Sequence, residues 1–109
     1  MDLIEVANTA QDRLLGASCT LDAREMPARL REWAALRDRS TSIREITGGV
    51  ALRLDAQEPI DQVANLVARE SECCAFYTFR LQVEGPSREL QITAGEGREI
   101  AVQTLLGLS

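Results

Sequence analysis

The stretch Glu70-Ser71-Glu72-Cys73-Cys74-Ala75-Phe76-Tyr77-Thr78-Phe79 joins a helical pattern on one side to a strand pattern on the other. It holds two of the three cysteines and three of the four aromatic residues. Unusual chemistry and core-forming residues coincide there. Upstream, Pro59 suits the first turn of a helix. Ile60, Val63, Ala64, Val67, Ser71 and Cys74 follow at intervals that place them on one helical face. The spacing predicts a helix over 59–74. Downstream, Phe79, Leu81 and Val83 alternate with Arg80 and Gln82, the period of a half-buried strand.

The flanks extend the same pattern. Gly85-Pro86-Ser87 turns the chain, and Leu90 with Ile92 marks a closing strand. Gly95-Glu96-Gly97 breaks it, and Ile100, Ala101, Thr104 and Leu105 predict a last helix over 97–106, stopped by Gly107. Before Pro59, Ile43–Thr47 and Val50–Leu54 read as two strands around Gly48-Gly49. A hairpin turn that needs positive φ explains this pair better than a phosphate-binding loop does. Leu30, Trp33 and Leu36 predict a helix over 22–39, with Asp22 and Glu25 as a capping box and Pro27 in an early turn. Arg29, Arg31 and Glu32 are expected on its solvated face. Ala17–Leu21 reads as a first strand. Leu3, Val6, Ala7, Ala10 and Leu14 predict a helix over 2–15 that ends at Gly16.

The expected order is α-β-α-β-β-α-β-β-α. That is an α+β fold, a mostly antiparallel sheet with helices on one face, in a ferredoxin-like variant. Residues 1–16 are expected to form a helical extension and 17–109 a single domain. Trp33, Leu52, Val63, Val67, Phe79 and Leu81 are expected to be buried together.

Composition narrows the chemistry. The chain has 109 residues and a net charge of −5. Its basic residues are scattered, all of them arginine, so no clustered face for nucleic acid is expected. No apolar run is long enough to span a membrane, and Met1-Asp2-Leu3-Ile4-Glu5 lacks a signal-peptide pattern. A cytoplasmic location is expected. The chain has no histidine. This removes the usual general base at neutral pH and any His-ligated metal site. No pattern for an organic cofactor is present. The N-terminal helix offers an apolar face to a second copy of the chain, or packs within the molecule.

What remains is thiol chemistry. Cys74 shares the apolar stripe, and Cys73 is turned away from it. Glu70, one turn earlier, falls in the neighbourhood of both. As a pair of glutamates, Glu70 and Glu72 read as a solvated face. Cys74 and Cys19 taken singly read as small core residues. Adjacent thiols on different faces are harder to assign to the core together. They suit a two- or three-coordinate thiophilic ion better than tetrahedral zinc, which favours wider cysteine spacing. Cys73, Cys74, Cys19 and Glu70 are therefore candidate ligands of a soft metal or metalloid ion in a non-catalytic protein. A small ligand-binding or interaction module with structural cysteines is the alternative. A thiol redox protein is another, in which Cys19 and Cys73 make a better disulfide than the strained adjacent pair. The helix C-terminus and nearby glutamates disfavour a reactive thiolate in the free protein, whereas a bound metal would favour one.

The elements Cys19-Thr20-Leu21, Trp33, Gly49-Val50-Ala51-Leu52-Arg53-Leu54 and Glu70-x-x-Cys73-Cys74-x-Phe76-x-x-Phe79-x-Leu81 resemble a group of small uncharacterised bacterial proteins. Some members of the group are found with mercury-resistance genes. The resemblance spans about residues 17–106. It implies no reaction, and it adds modest support to the thiophilic-ion reading.

Overall fold

The structure, a computed structural model, describes residues 24–108. The helix expected over 2–15, the strand expected over 17–21 and Cys19 lie outside the described residues. The described chain runs α1 (Met26–Arg39), β1 (Ser42–Ile46), β2 (Gly49–Leu54), α2 (Ile60–Cys73), β3 (Thr78–Glu84), β4 (Ser87–Thr93) and α3 (Glu99–Leu105). This is the α+β architecture with an antiparallel sheet that the hydrophobic periodicities predict.

The strands form one antiparallel sheet in the order β1-β2-β4-β3. Two hairpins are joined through their second strands. A ferredoxin-like sheet would instead set the first strand of the chain beside β2. In the described residues that place belongs to β4, with Val50 opposite Ile92 and Leu52 opposite Leu90. All four of these side chains are fully buried. Gly48 and Gly49 serve different needs in the first hairpin. Gly48 takes positive φ (82°) in the turn. Gly49 begins β2, where its backbone presses against Ile92.

Each helix turns one apolar stripe to the same face of the sheet. Arg29, Trp33 and Leu36 are the buried residues of α1, and Val63, Leu66 and Glu70 those of α2. Pro27 sits in the first turn of α1, where a missing N–H is tolerated. Glu25 is the residue before the helix, and Asp22, the other half of the expected capping box, lies outside the described residues. Ion pairs fix α1 antiparallel to α2. Arg29 meets Glu70, Glu32 meets Arg69, and Arg39 meets Glu58. Arg37 caps the last turn of α3, its Nη1 donating to the carbonyls of Leu106 and Gly107 at 2.7 and 2.9 Å. Trp33, Leu52 and Val63 lie in the core as expected. Val67, Phe79 and Leu81 are partly buried against it. Burial of these three is therefore less complete than the periodicity predicts.

The opposite face of the sheet is polar. Arg44 on β1 donates to both carboxylate oxygens of Glu89 on β4, at 2.8 and 3.2 Å. Gln91 Nε2 adds a third bond at 2.8 Å, and Arg53 stands 3.7 Å away. The Arg44 hydrogen bonds, then that of Gln91, hold the Glu89 carboxyl at about 2, down from its ordinary 4.5. The folded form thus favours the carboxylate. Its contribution is complete above the unfolded value and is lost as pH falls from 4.5 toward 2. Glu89→Gln is expected to destabilise the protein at neutral pH and to converge on the parent near about pH 2 to 3. Urea unfolding across that range checks this. A variant with the parent's acid slope would mean that the Arg44 pair contributes nothing.

No helix among the described residues is long and apolar enough to cross a membrane.

Candidate functional site

The end of α2 gathers the described chemistry-bearing residues. Its last residue is Cys73, and Cys74 follows as the C-cap with extended backbone (φ −130°, ψ 90°). The Cys74 N–H still donates to the Glu70 carbonyl at 2.7 Å. Cys74 thus keeps to the buried stripe of α2 as the backbone leaves the helix. Cys74 is buried, whereas Cys73 is only partly so. The adjacent pair thus divides as the stripe predicts, with Cys74 inside.

The two sulfurs also differ in bonding. Cys73 is a free thiol. Cys74 is half of a disulfide. This corrects the redox alternative in one respect, since it is Cys74 and not Cys73 that is the bonded half. The place on the buried stripe gives that role to Cys74. Among the described residues no group of three or more Cys, Asp or Glu side chains is arranged to hold a metal ion. A third thiolate would have to come from Cys19, outside the described residues.

Glu70 has a place that the sequence reading did not foresee. It is 2% exposed, not solvated. Its Oε1 accepts from Trp33 Nε1 at 2.8 Å and from Arg29 Nη1 at 3.1 Å. Arg29, also expected on a solvated face, is 8% exposed. A carboxylate taken from water is costly unless it is paired and hydrogen-bonded, and here both conditions are met. Glu70 clamps the start of α1 to the end of α2 directly beneath the cysteines. The available signal was spacing. Val63, Leu66, Glu70 and Cys74 fall at i, i+3, i+7 and i+11, and Arg29, Trp33 and Leu36 at i, i+4 and i+7. Reading polar residues as solvent-facing moved the stripe from Glu70 to Ser71, which is exposed.

The aromatic residues complete this end of the core. Trp33 stacks on Phe79 with ring centres 5.6 Å apart. Tyr77 packs against Phe76 and Phe79. Its hydroxyl is buried and donates to the Ala101 carbonyl in α3 at 3.2 Å. Burial, and then the nearby Glu70 charge, push the Tyr77 phenol well above its ordinary range. It stays neutral, a donor that ties α3 to the segment following the cysteines.

A groove of about 590 Å³ runs between α1 and α2. Leu36, Val63 and Leu66 line it, with Glu32, Arg39 and Arg69 among its polar lining residues. Arg69 pairs with Glu32 through two bonds of 2.7 and 3.0 Å, linking the two helices. No cysteine lines it, and the ion pair matches its charges to each other. The groove is a valley between packed helices that offers no convergent polar groups to a ligand.

No protein family, curated protein or solved structure matches this chain.

Proposed function

We propose that this is a non-catalytic thiol protein that holds a soft metal or metalloid ion at the end of α2, through Cys73, Cys74 and Cys19 in their reduced state. The supporting observation is the disulfide at Cys74 beside the free thiol of Cys73. Cys74 is bonded to a second sulfur, and the thiol of Cys73 precedes it directly in the chain. Sulfurs that close are drawn a little apart by a shared ion, with metal–sulfur bonds of about 2.3 Å in the zinc case. Thiolates select thiophilic ions over hard ones. Glu70 is left out of the ligand set, because its Oε1 already serves Arg29 and Trp33. Its role is to anchor the backbone that carries the sulfurs.

The test is titration of the reduced full chain with Cd(II), Hg(II) and As(III), followed by calorimetry and thiolate-to-metal absorption. Cys73→Ser and Cys74→Ser are each expected to weaken binding at least about 100-fold, more than the loss of an outer-shell partner costs. In the reduced, ion-free protein Cys74→Ser is expected to cost about 1–3 kcal/mol by burying a hydroxyl. Cys73→Ser, at a partly exposed site, should melt close to the parent. Binding unchanged in the double variant, or no binding tighter than about micromolar by the parent, would sink the reading. The half-cystine also favours a second reading, a thiol redox protein. That reading predicts disulfide exchange with small thiols and no ion binding.

A further inference from the structure

We propose that β3 is a self-pairing edge, through which two copies of the chain join their sheets about a two-fold axis at Gln82. The pairing stands apart from the soft-ion reading, since no cysteine takes part in it. β3 ends the sheet order, with β4 on one side and no described strand on the other. Its register with β4 runs without a bulge from Thr78 to Glu84, and no proline interrupts it. An edge of this kind presents unpaired backbone groups to another strand. Arg80, Gln82, Val83 and Glu84 are all exposed, Val83 at 48%.

The side chains match those of a second copy. In an antiparallel pair centred on Gln82, Arg80 faces Glu84 of the second copy, and Glu84 faces its Arg80. Leu81 and Val83 face each other in the same way, on the helix side of the sheet. Two ion pairs and two apolar pairs therefore form together, as a two-fold interface requires. Among the described residues Arg80 makes no ion pair, and Glu84 accepts only from the exposed Gln82, at 3.1 Å. The ladder covers residues 80–84 and stops where Pro86, which lacks an N–H, would face Thr78. An axis at Leu81 would use the whole strand but set Arg80 against Gln82 and Glu84 against Thr78. β1, the other edge, has no such match, because an axis at its centre sets Arg44 against its own copy.

α2 extends the matching surface. It packs over β3. Arg88, opposite Val83, donates to the carbonyl of Glu58, just ahead of α2, at 2.9 Å. The helix thus starts at the Val83 end and runs antiparallel to β3. Gln62, Asn65 and Arg69 line its α1 side. Ile60, Ala64 and Val67 fall on the opposite side, toward the free edge of β3. Ala64 is exposed, and Ile60 and Val67 are only partly buried. The pairing brings this apolar strip from both copies to one face of the joined sheet, next to Leu81 and Val83.

Sedimentation equilibrium of the full chain under reducing conditions is the test, since no intermolecular disulfide can then hold two chains together. The parent is expected to reach twice the chain mass, with a dissociation constant of about 100 µM or tighter. Arg80→Glu and Glu84→Arg each set like charges opposite one another twice, and each should weaken the dimer at least about tenfold. An equimolar mixture of the two variants restores both ion pairs, so it should form a mixed dimer about as tight as the parent's. Gln82→Glu sets two carboxylates face to face at the axis and should also weaken the dimer. Each variant should keep the parent's circular dichroism, because the substituted side chains are exposed. A parent that stays monomeric up to about 1 mM overturns the proposal. So does a dimer that tolerates both charge reversals, or a mixture that gains nothing over its components. A dimer tightened by Gln82→Glu would also overturn it, because the glutamate would then face Arg80 across an axis at Leu81.

Discussion

Replacing Glu70 by alanine is expected to destabilise the protein by about 3–5 kcal/mol, the cost of stranding a buried charge. The carboxylate is the acceptor of both Arg29 and Trp33. Its loss leaves a guanidinium at 8% exposure beside a vacated volume, and an indole N–H at 0% exposure without its partner. Glu70→Gln keeps an acceptor for Trp33 but not a counter-charge for Arg29, so it should fall between the parent and the alanine variant. The double variant Arg29→Met, Glu70→Met removes both charges and should recover much of the loss, since apolar replacements of buried pairs are often nearly neutral. Chemical unfolding of the parent, Arg29→Met, Glu70→Met and the double variant forms a double-mutant cycle, with Glu70→Ala and Glu70→Gln measured beside it. Parent-like stability of Glu70→Ala would show that the clamp between α1 and α2 carries no weight. The same substitution should lower ion affinity only as far as it loosens the end of α2. Ion binding lost in a variant that remains folded would instead make Glu70 a ligand.

Gly49→Ala is expected to be about as damaging, costing about 3 kcal/mol or more by overpacking that cannot relax. An added Cβ would stand 1.8 Å from the Ile92 carbonyl oxygen and 2.8 Å from Thr93 Cα. Both atoms belong to backbone, so no side chain can swing aside. Relief requires β2 to part from β4 where Gly49 faces Thr93, at the end of the ladder between the two inner strands. Gly85→Ala is the control. An added Cβ there meets nothing within 4 Å, and the only strain is its φ of 59°. Its cost should be about 1–2 kcal/mol. Thermal unfolding of the two variants side by side separates them. Equal losses would mean that the β2–β4 approach at Gly49 is looser than described.

Much of this fold is legible in the one-dimensional pattern, because periodicity is local. Alternation in Val50–Leu54 and Phe79–Val83 identifies strands, the spacing from Ile60 to Cys74 identifies α2, and Gly48 marks the hairpin turn. These features depend on which residues recur every second or every third to fourth position, and no partner need be known. The same stripe also places Cys74 inside and Cys73 toward solvent.

Sheet order and the identity of buried polar groups depend on partners distant in sequence. Nothing local says that β4 rather than an earlier strand pairs with β2, since either choice buries an equivalent apolar face. Polar side chains are a sharper case. Taken alone, Glu70 and Arg29 are residues that water holds best. Only the antiparallel packing of α1 on α2 brings them within 3.1 Å, where each offsets the other's desolvation. The disulfide at Cys74 is of the same kind, because bond formation depends on where a second sulfur comes to lie in space. The amino-acid sequence by itself determined the helices, the strands, the hairpin glycine and the thiol chemistry available. The tertiary structure alone decided that Glu70 is an anchor and that Cys74, not Cys73, is the bonded sulfur, because both facts rest on contacts that form only when separate elements pack.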